Sequence, residues 1–385
     1  MKKTIACVML IVLFNGVNAQ NSAEKIIAGN PGLHIGGYGQ VDFNLPSRDG
    51  TIHKNGTLDV HRLVTFFGYN FNDKTSFVSE LEFEHVTEVY VEQAFLDYKI
   101  KNNLSVNAGL MLIPMGIQNL YHEPATFNGV ERTNVDNYIV PSTWREIGIG
   151  VSGRSMEHSV NYQVMLVNGL NGYSDAGLFN GKSGLRSGRQ KGVESYITYP
   201  DFAGRVSFYG YPGLNLGLSA YVGDTETKLY DGLDLADEMA VASADSSIVG
   251  MQMIGVDARY TEGVLQLRGQ YIVANLSNTA QYNAFTSKDL GSKLTGYYAE
   301  VGYNLLERKS DTEELIAFAR YENYNTHAEV EGITMNDTYN RTGITIGLGF
   351  KVTQGAMFKA DYQIKSNAGS DKKSGQFNFG TAIWF

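Results

Sequence analysis

Gln376 to Phe385 read QFNFGTAIWF. In an extended strand their side chains divide between two faces. Phe377, Phe379, Thr381, Ile383 and Phe385 share one face; Gln376, Asn378, Gly380, Ala382 and Trp384 share the other. The first face is apolar and the second mostly polar or small. Such a strand belongs between an apolar layer and a wet one. Most soluble domains end instead in a polar, loosely ordered tail.

The same division recurs along the chain. Strand-like segments read Leu33–Asn44, Leu58–Phe71, Thr75–Val86, Val89–Ile100, Leu104–Leu112, Arg145–Arg154, His158–Val167 and Phe202–Gly210. They continue as Leu214–Gly223, Gly250–Tyr260, Val264–Asn275, Leu294–Leu305, Glu314–Tyr324, Arg341–Lys351, Ala356–Ser366 and Gln376–Phe385. Most are near the ~9–11 residues with which a tilted strand crosses a bilayer. In one of them Ile344, Ile346, Leu348 and Phe350 oppose Gly343, Thr345, Gly347 and Gly349. Tight connections such as Asn72-Asp73-Lys74, Thr261-Glu262-Gly263 and Glu307–Glu313 alternate with mostly longer ones, among them Ile113–Trp144, Asn168–Asp201, Asp224–Val249 and Asn367–Gly375. The exception is the short link around Thr87-Glu88. Tyr69, Phe71, Tyr98, Tyr260, Tyr303, Phe350 and Phe385 lie close to the tight-turn rim, as an aromatic girdle would. These patterns predict an all-β fold, a transmembrane antiparallel β-barrel of about 16 strands. Closure is needed in lipid, where an open sheet edge would strand unpaired backbone groups.

Composition agrees. Of 385 residues, 43% are apolar and 18% charged; 43 glycines and 24 tyrosines against 7 prolines suit many strands with tight turns. The opening MKKTIACVMLIVLFNGVNAQ has the form of a signal peptide, residues 1–19, cut after Ala19, with the barrel domain spanning 20–385. Its apolar core is roughly half the ~20 residues of a spanning helix. The single cysteine, Cys7, lies inside it, so the mature chain would carry no thiol and no disulfide. Loss of Lys2 and Lys3 would make the formal charge of −9 more negative by two. An acidic exported chain is a poor nucleic-acid partner.

Motifs of chemistry are missing: no His-Glu-x-x-His, no Gly-x-Ser-x-Gly and no Walker loop. Gly37-Tyr38-Gly39 lacks a dinucleotide fingerprint's third glycine, and the seven histidines are scattered without metal-ligand spacing. No catalytic residue, cofactor or metal is expected, and the chain does not read as an enzyme.

The fifth connection is IPMGIQNLYHEPATFNGVERTNVDNYIVPSTW, Ile113 to Trp144. Its three prolines and mixed polarity make it a structured loop, and a barrel of this size encloses an aqueous lumen that such a loop can narrow. Around it stand Glu92-Gln93-Ala94-Phe95, Gly109, Pro114-Met115-Gly116, His122-Glu123-Pro124, Glu131-Arg132 and Pro141-Ser142-Thr143-Trp144-Arg145-Glu146-Ile147-Gly148. On these pieces, about a fifth of the chain, the protein resembles the phosphate-selective porin O/P family in its Bacteroidetes-type branch. That resemblance implies an outer-membrane porin of sixteen strands, often a homotrimer, with the third extracellular loop folded inward at Pro114–Pro141. It makes Pro114, Met115, Gly116, His122, Glu123, Pro124, Glu131, Arg132, Asp136 and Pro141 the pore-constriction loop.

Phosphate-selective members use arginine ladders and constriction lysines. Here the loop sets Glu123, Glu131 and Asp136 against Arg132 alone, with no lysine. Alternation puts Glu80, Glu82 and Glu84 on the lumen face, with Glu146, Arg154, Arg259, Arg268, Arg320 and Lys359 as further lumen charges. Rings of charge bias permeation by sign, but mixed rings leave the sign open. The expected function is a channel for passive diffusion of small hydrophilic solutes or ions, phosphate among them. The alternative is a non-conducting adhesin, receptor or structural barrel displaying Asn168–Asp201 and Asp224–Val249. Expected partners are the solutes, outer-membrane lipid and lipopolysaccharide, and the barrel insertion machinery, for which Phe385 would be the assembly signal by resemblance to related outer-membrane proteins.

Overall fold

The computed structural model describes residues 23, 27, 29–48, 51–52, 55–306 and 313–385. The segment read as a signal peptide, and residues 307–312 of the Glu307–Glu313 connection, lie outside them.

Alternating stretches become sixteen long strands in chain order. They are β1 Gly32–Arg48, β2 Thr57–Asn72, β3 Thr75–Glu84, β4 Glu88–Lys101, β5 Leu104–Leu112, β6 Arg145–Ser155, β7 Val160–Val167 and β8 Asp201–Phe208. The rest are β9 Leu214–Asp224, β10 Gly250–Glu262, β11 Leu265–Ser277, β12 Lys293–Asn304, β13 Glu314–Glu329, β14 Asn340–Thr353, β15 Ala356–Asn367 and β16 Ser370–Trp384. Each pairs antiparallel with its sequence neighbour, and β1 pairs with β16 from Tyr38↔Trp384 to Arg48↔Ser374. That last pairing closes the sheet into a barrel. Backbone bonds from Phe385 N to the Gly37 carbonyl (2.9 Å) and from Gly37 N to the Phe385 carbonyl (3.0 Å) extend the seam.

The apolar faces point outward. Phe377, Phe379 and Ile383 are exposed on β16, as are Ile344, Ile346 and Leu348 on β14, while Asn378 and Thr345 are buried inside. At the tight-turn rim Tyr69, Phe71, Tyr98, Tyr303, Phe350 and Phe385 are exposed and Tyr260 half-buried, an aromatic belt on the outer wall. Among the described residues no helix is long and apolar enough to cross a membrane.

Two expectations about connections are corrected. The Asn367–Gly375 loop is a two-residue turn, Ala368-Gly369, because β16 begins at Ser370 and pairs with β15 from Asn367↔Ser370 onward. Its polar start marks where the strand leaves the apolar layer, not where the ladder ends. The Asn168–Asp201 segment is not a free surface loop. Leu170, Phe179 and Leu185 are fully buried in one apolar cluster with Met165, Ala203, Met251, Met253, Ile272 and Leu294 from the inner wall of β7 to β12. Among the described residues four short α-helices lie in the connections between strands: α1 Ile117–Leu120, α2 Val135–Tyr138, α3 Glu238–Ser246 and α4 Thr279–Thr286. From α4, the Tyr282 hydroxyl donates to the Gly172 carbonyl at 2.9 Å and accepts from Phe179 N at 2.9 Å.

Candidate functional site

The chain turns inward directly after β5. Ile113 N donates to the Trp144 carbonyl at 3.0 Å, and Asn119 Nδ2 donates to the carbonyls of Ile113 (2.7 Å) and Trp144 (2.9 Å), so the two ends of the loop are zipped together. Gly116 makes the bend at φ +73°; a Cβ there would also lie 2.9 Å from Asp136 Oδ1 and 3.0 Å from Gln270 Oε1. A side chain is excluded on both counts. On either side of it, Pro114, Met115, His122, Glu123, Pro124, Asp136 and Pro141 are all buried inside the barrel.

A loop pulled out of water needs partners for its backbone groups, and the inner wall supplies them. Gln270 on β11 accepts from Ile117 N at 2.7 Å and donates to Asp136 Oδ1 at 3.0 Å. Glu322 on β13 accepts from Asn134 N (2.7 Å) and Nδ2 (2.6 Å). Asp361 on β15 accepts from Val130 N at 2.7 Å. Lys359 donates to the carbonyls of Pro124, Phe127 and Gly129, the last two at 2.7 and 2.9 Å. Arg268 reaches the Thr126 carbonyl at 3.0 Å and pairs with Glu300 at 3.2 Å, and Arg320 stands 3.5 Å from Glu300. Arg259 stacks on the Tyr121 ring, 3.8 Å from its centre. The inward loop is thereby tied to opposite sides of the barrel.

The remaining expected residues divide. Glu80 and Glu82 are buried inside, Glu82 3.5 Å from Arg62, and Glu84 is half-buried at the long-loop rim. Glu146 is no free lumen charge: it accepts from Trp144 Nε1 at 2.8 Å, from Gly169 N at 3.2 Å and from the Tyr221 hydroxyl. Arg154 is on the inward alternate of β6 but stands exposed at the tight-turn rim, away from the loop. Glu131 and Arg132 keep partial exposure; Asn44 donates to Glu131 at 3.0 Å, and Arg132 donates to the His122 carbonyl at 2.9 Å.

Two groups were not legible from alternation. Glu80 pairs with Gln93 and Leu81 with Val91, so Glu92 is an extra, bulged residue on β4. The bulge lets Glu92 and Gln93 both face inward, where they meet Glu80, Tyr38 and His122. Tyr38 Oη donates to Glu80 Oε1 and Glu92 Oε2 at 3.1 Å each, and His122 Nε2 lies 3.3 and 3.4 Å from the same two oxygens. Among the described residues this is the one group of three histidine and carboxylate ligand atoms that all lie within 4.8 Å of one another.

The second group is cationic and joins Arg145 of β6 to the 168–201 segment. Arg186 donates to the Ser142 carbonyl, Arg189 to the Thr143 carbonyl at 3.2 Å, and Arg145 to Thr143 Oγ1 at 3.2 Å. Lys191 and Arg145 share the Tyr90 ring, at 4.3 and 5.8 Å from its centre. Burial lowers the Lys191 ammonium from its ordinary value, and the Arg189 and Arg145 charges add to that. Burial also lowers Arg186, which Glu84 opposes and Arg62 reinforces. A basic patch thus sits at the end of the loop that supplies only one basic residue of its own.

Sixteen antiparallel strands, a closing β1–β16 seam, an apolar outer wall and a loop pinned across the lumen define a porin-type barrel. Solved porins and channels share the fold. The outer membrane channel DcaP of Acinetobacter baumannii matches with a TM-score of 0.59 at 10% identity, over 92% of this chain and 97% of that one. The anion-selective porin from Comamonas acidovorans gives 0.55 at 13% identity, over 92% and 99%. The trimer form of OmpT, an outer membrane protein of Vibrio cholerae, gives 0.52 at 13%, over 92% and 100%. No family model matches the chain. An uncharacterised protein of Aquifex aeolicus (strain VF5) is 30% identical over 351 residues, 89% of this chain and 77% of that protein, and the chain belongs to its family.

Proposed function

We propose that this protein is an outer-membrane channel for passive diffusion of small hydrophilic solutes, with anions, phosphate among them, favoured over cations. It carries out no catalysis in this reading, and a homotrimer is its working form, as in the trimer form of OmpT. The observation that carries the proposal is the uneven filling of the barrel. Apolar side chains and loops occupy the β7 to β12 side, whereas Asn44 and His61 on the wall, Glu131 and Arg132 on the loop, and Arg186 opposite them keep partial exposure. The water-filled path runs along this β1–β2 side, with Glu131-Arg132 at its narrowest point. The partly exposed Arg132, Arg186, Arg189 and Lys191 set its sign, since Arg62 and Arg145 are buried beside Glu82 and Glu92. A ring of fixed cations raises the local anion concentration and repels cations. The resemblance to the phosphate-selective porin O/P family and the fold shared with an anion-selective porin support the same sign.

The test is single-channel recording in a planar bilayer under a KCl gradient. Discrete conductance steps and an anion-signed reversal potential are expected. Arg132→Glu combined with Arg186→Glu should move that potential toward the cation side. Absence of conductance at every voltage would remove the channel; a cation-signed wild type would remove the anion preference.

A further inference from the structure

We propose that Glu80, Glu92 and His122 form a binding site for a divalent first-row transition ion, Zn2+ by its geometry, that staples the inward loop to strands β3 and β4.

The donor set is buried: the exposures of Glu80, Glu92 and His122 are 1%, 0% and 1%. His122 Nδ1 lies 3.3 Å from the Asn119 carbonyl. A carbonyl oxygen only accepts, so Nδ1 carries the proton. Nε2 then aims its lone pair at two carboxylate oxygens, which is repulsive unless a cation sits between them. Only a second proton or a metal ion can supply that charge.

The distances match a metal-filled site. Charge-assisted N–H···O bonds contract to about 2.7–2.9 Å, yet Nε2 stands 3.3 Å from Glu80 Oε1 and 3.4 Å from Glu92 Oε2. Ligand atoms at ~2.0–2.1 Å from a tetrahedral Zn2+ are separated by roughly 3.3 Å. Tyr38 Oη, 3.1 Å from both carboxylate oxygens, closes the fourth corner with its hydroxyl or with a water it holds.

The outer contacts are those of a metal centre. Metal-bound histidines characteristically donate the other ring N–H to a carbonyl or carboxylate, and ligating carboxylates are themselves hydrogen-bonded. Here Gln93 Nε2 donates to Glu80 Oε2 at 2.6 Å, and Thr143 Oγ1 donates to Glu92 Oε1 at 2.6 Å. Each carboxylate is therefore held by its outer oxygen and turned so that the inner one faces His122. Arg145, 3.6 Å from Glu92 Oε1, stands on the outer side of the carboxylate and leaves the inner oxygen to the ion.

The experiment uses the whole mature protein folded in detergent, stripped with chelator and titrated with Co2+, then challenged with Zn2+. One Co2+ per chain with the intense visible absorption of a four-coordinate ion is expected, displaced by an equivalent of Zn2+. His122→Ala should abolish that absorption, and Thr143→Val, which leaves every ligand in place, should weaken binding about 10–100-fold. Heat-modifiable gel mobility establishes that each variant is a folded barrel. A wild type that takes up no Co2+ stoichiometrically, or gives only a weak six-coordinate spectrum, overturns the site and leaves His122 an imidazolium between two carboxylates. A folded His122→Ala variant that binds as the wild type does would also overturn it. The readout is optical, so it stands apart from whether the barrel conducts.

Discussion

Lys359 shows what alternation can and cannot say about a single residue. Its inward direction follows from the strand period, and the structure agrees. Its role does not follow, because the three carbonyls that cap its ammonium belong to residues more than two hundred positions earlier in the chain. Buried at 3% exposure and set 4.0 Å from the centre of the Phe127 ring, Lys359 is a clamp on the loop rather than a free lumen charge. Hydrogen bonds to charged groups contribute about 1.5–3 kcal/mol each, so Lys359→Met should loosen the 124–129 stretch substantially. The loop's single trypsin site, Arg132, reports on this. Cleavage there, identified by fragment mass, should accelerate by about tenfold or more, the equivalent of roughly 1.4 kcal/mol. Unchanged cleavage would mean that the other wall contacts suffice to hold the loop. Glu92 is the converse case, since a bulge reverses the face that simple alternation assigns to the residues before it.

At the scale of elements, all sixteen expected strands are present, and their apolar faces point outward as alternation predicts, save where the bulge at Glu92 shifts the period on β4. The period of two is robust here because a one-residue slip would turn a whole apolar set into the lumen. Strand ends were less legible. β1, β13 and β16 run on beyond the apolar layer, and a ladder of backbone hydrogen bonds needs no apolar side chains to continue. The inward course of the Pro114–Pro141 loop came from family resemblance, not from periodicity, since its anchors lie on five or more different strands. The facing itself is testable at Ile346, 60% exposed on the outer wall of β14. Arginine at the membrane midplane of a barrel costs about 2–4 kcal/mol. Ile346→Arg should lower folding stability in lipid vesicles by that amount in urea titration, whereas Ile346→Leu should be close to neutral. Equal stability of the two variants would place this side chain away from lipid.

At the scale of the whole molecule, the filled β7–β12 side of the barrel was the feature least visible beforehand. The 168–201 segment is rich in glycine, serine and asparagine, a composition that suits mobile loops and tight inward packing alike. Only the long-range partners of Leu170, Phe179 and Leu185 decide between them. Closure was more legible, because an open sheet edge in lipid would strand unpaired backbone groups. The seam joins residues near opposite ends of the sequence, so its loop-closure entropy is the largest in the barrel, and non-local pairings of this kind slow folding. Phe385 lies at the tight-turn end of that seam, with both of its backbone groups bonded to Gly37. Glycines make the approach possible: a Cβ on Gly36 would lie 2.8 Å from the Phe385 carbonyl oxygen, and one on Gly37 would lie 3.1 Å from the Phe385 ring. Deleting Phe385 should therefore slow closure several-fold in vesicle refolding followed by heat-modifiable mobility, while Phe385→Tyr, which keeps both backbone bonds and the ring, should refold like the wild type. Gly36→Val should reproduce the defect from the other strand, because its side chain would meet the Phe385 carbonyl oxygen while Phe385 itself stays intact. If all three variants close at the wild-type rate, the rate-limiting pairing lies elsewhere on the β1–β16 ladder, between Val41 and Arg48, and the terminal ring serves only the aromatic belt.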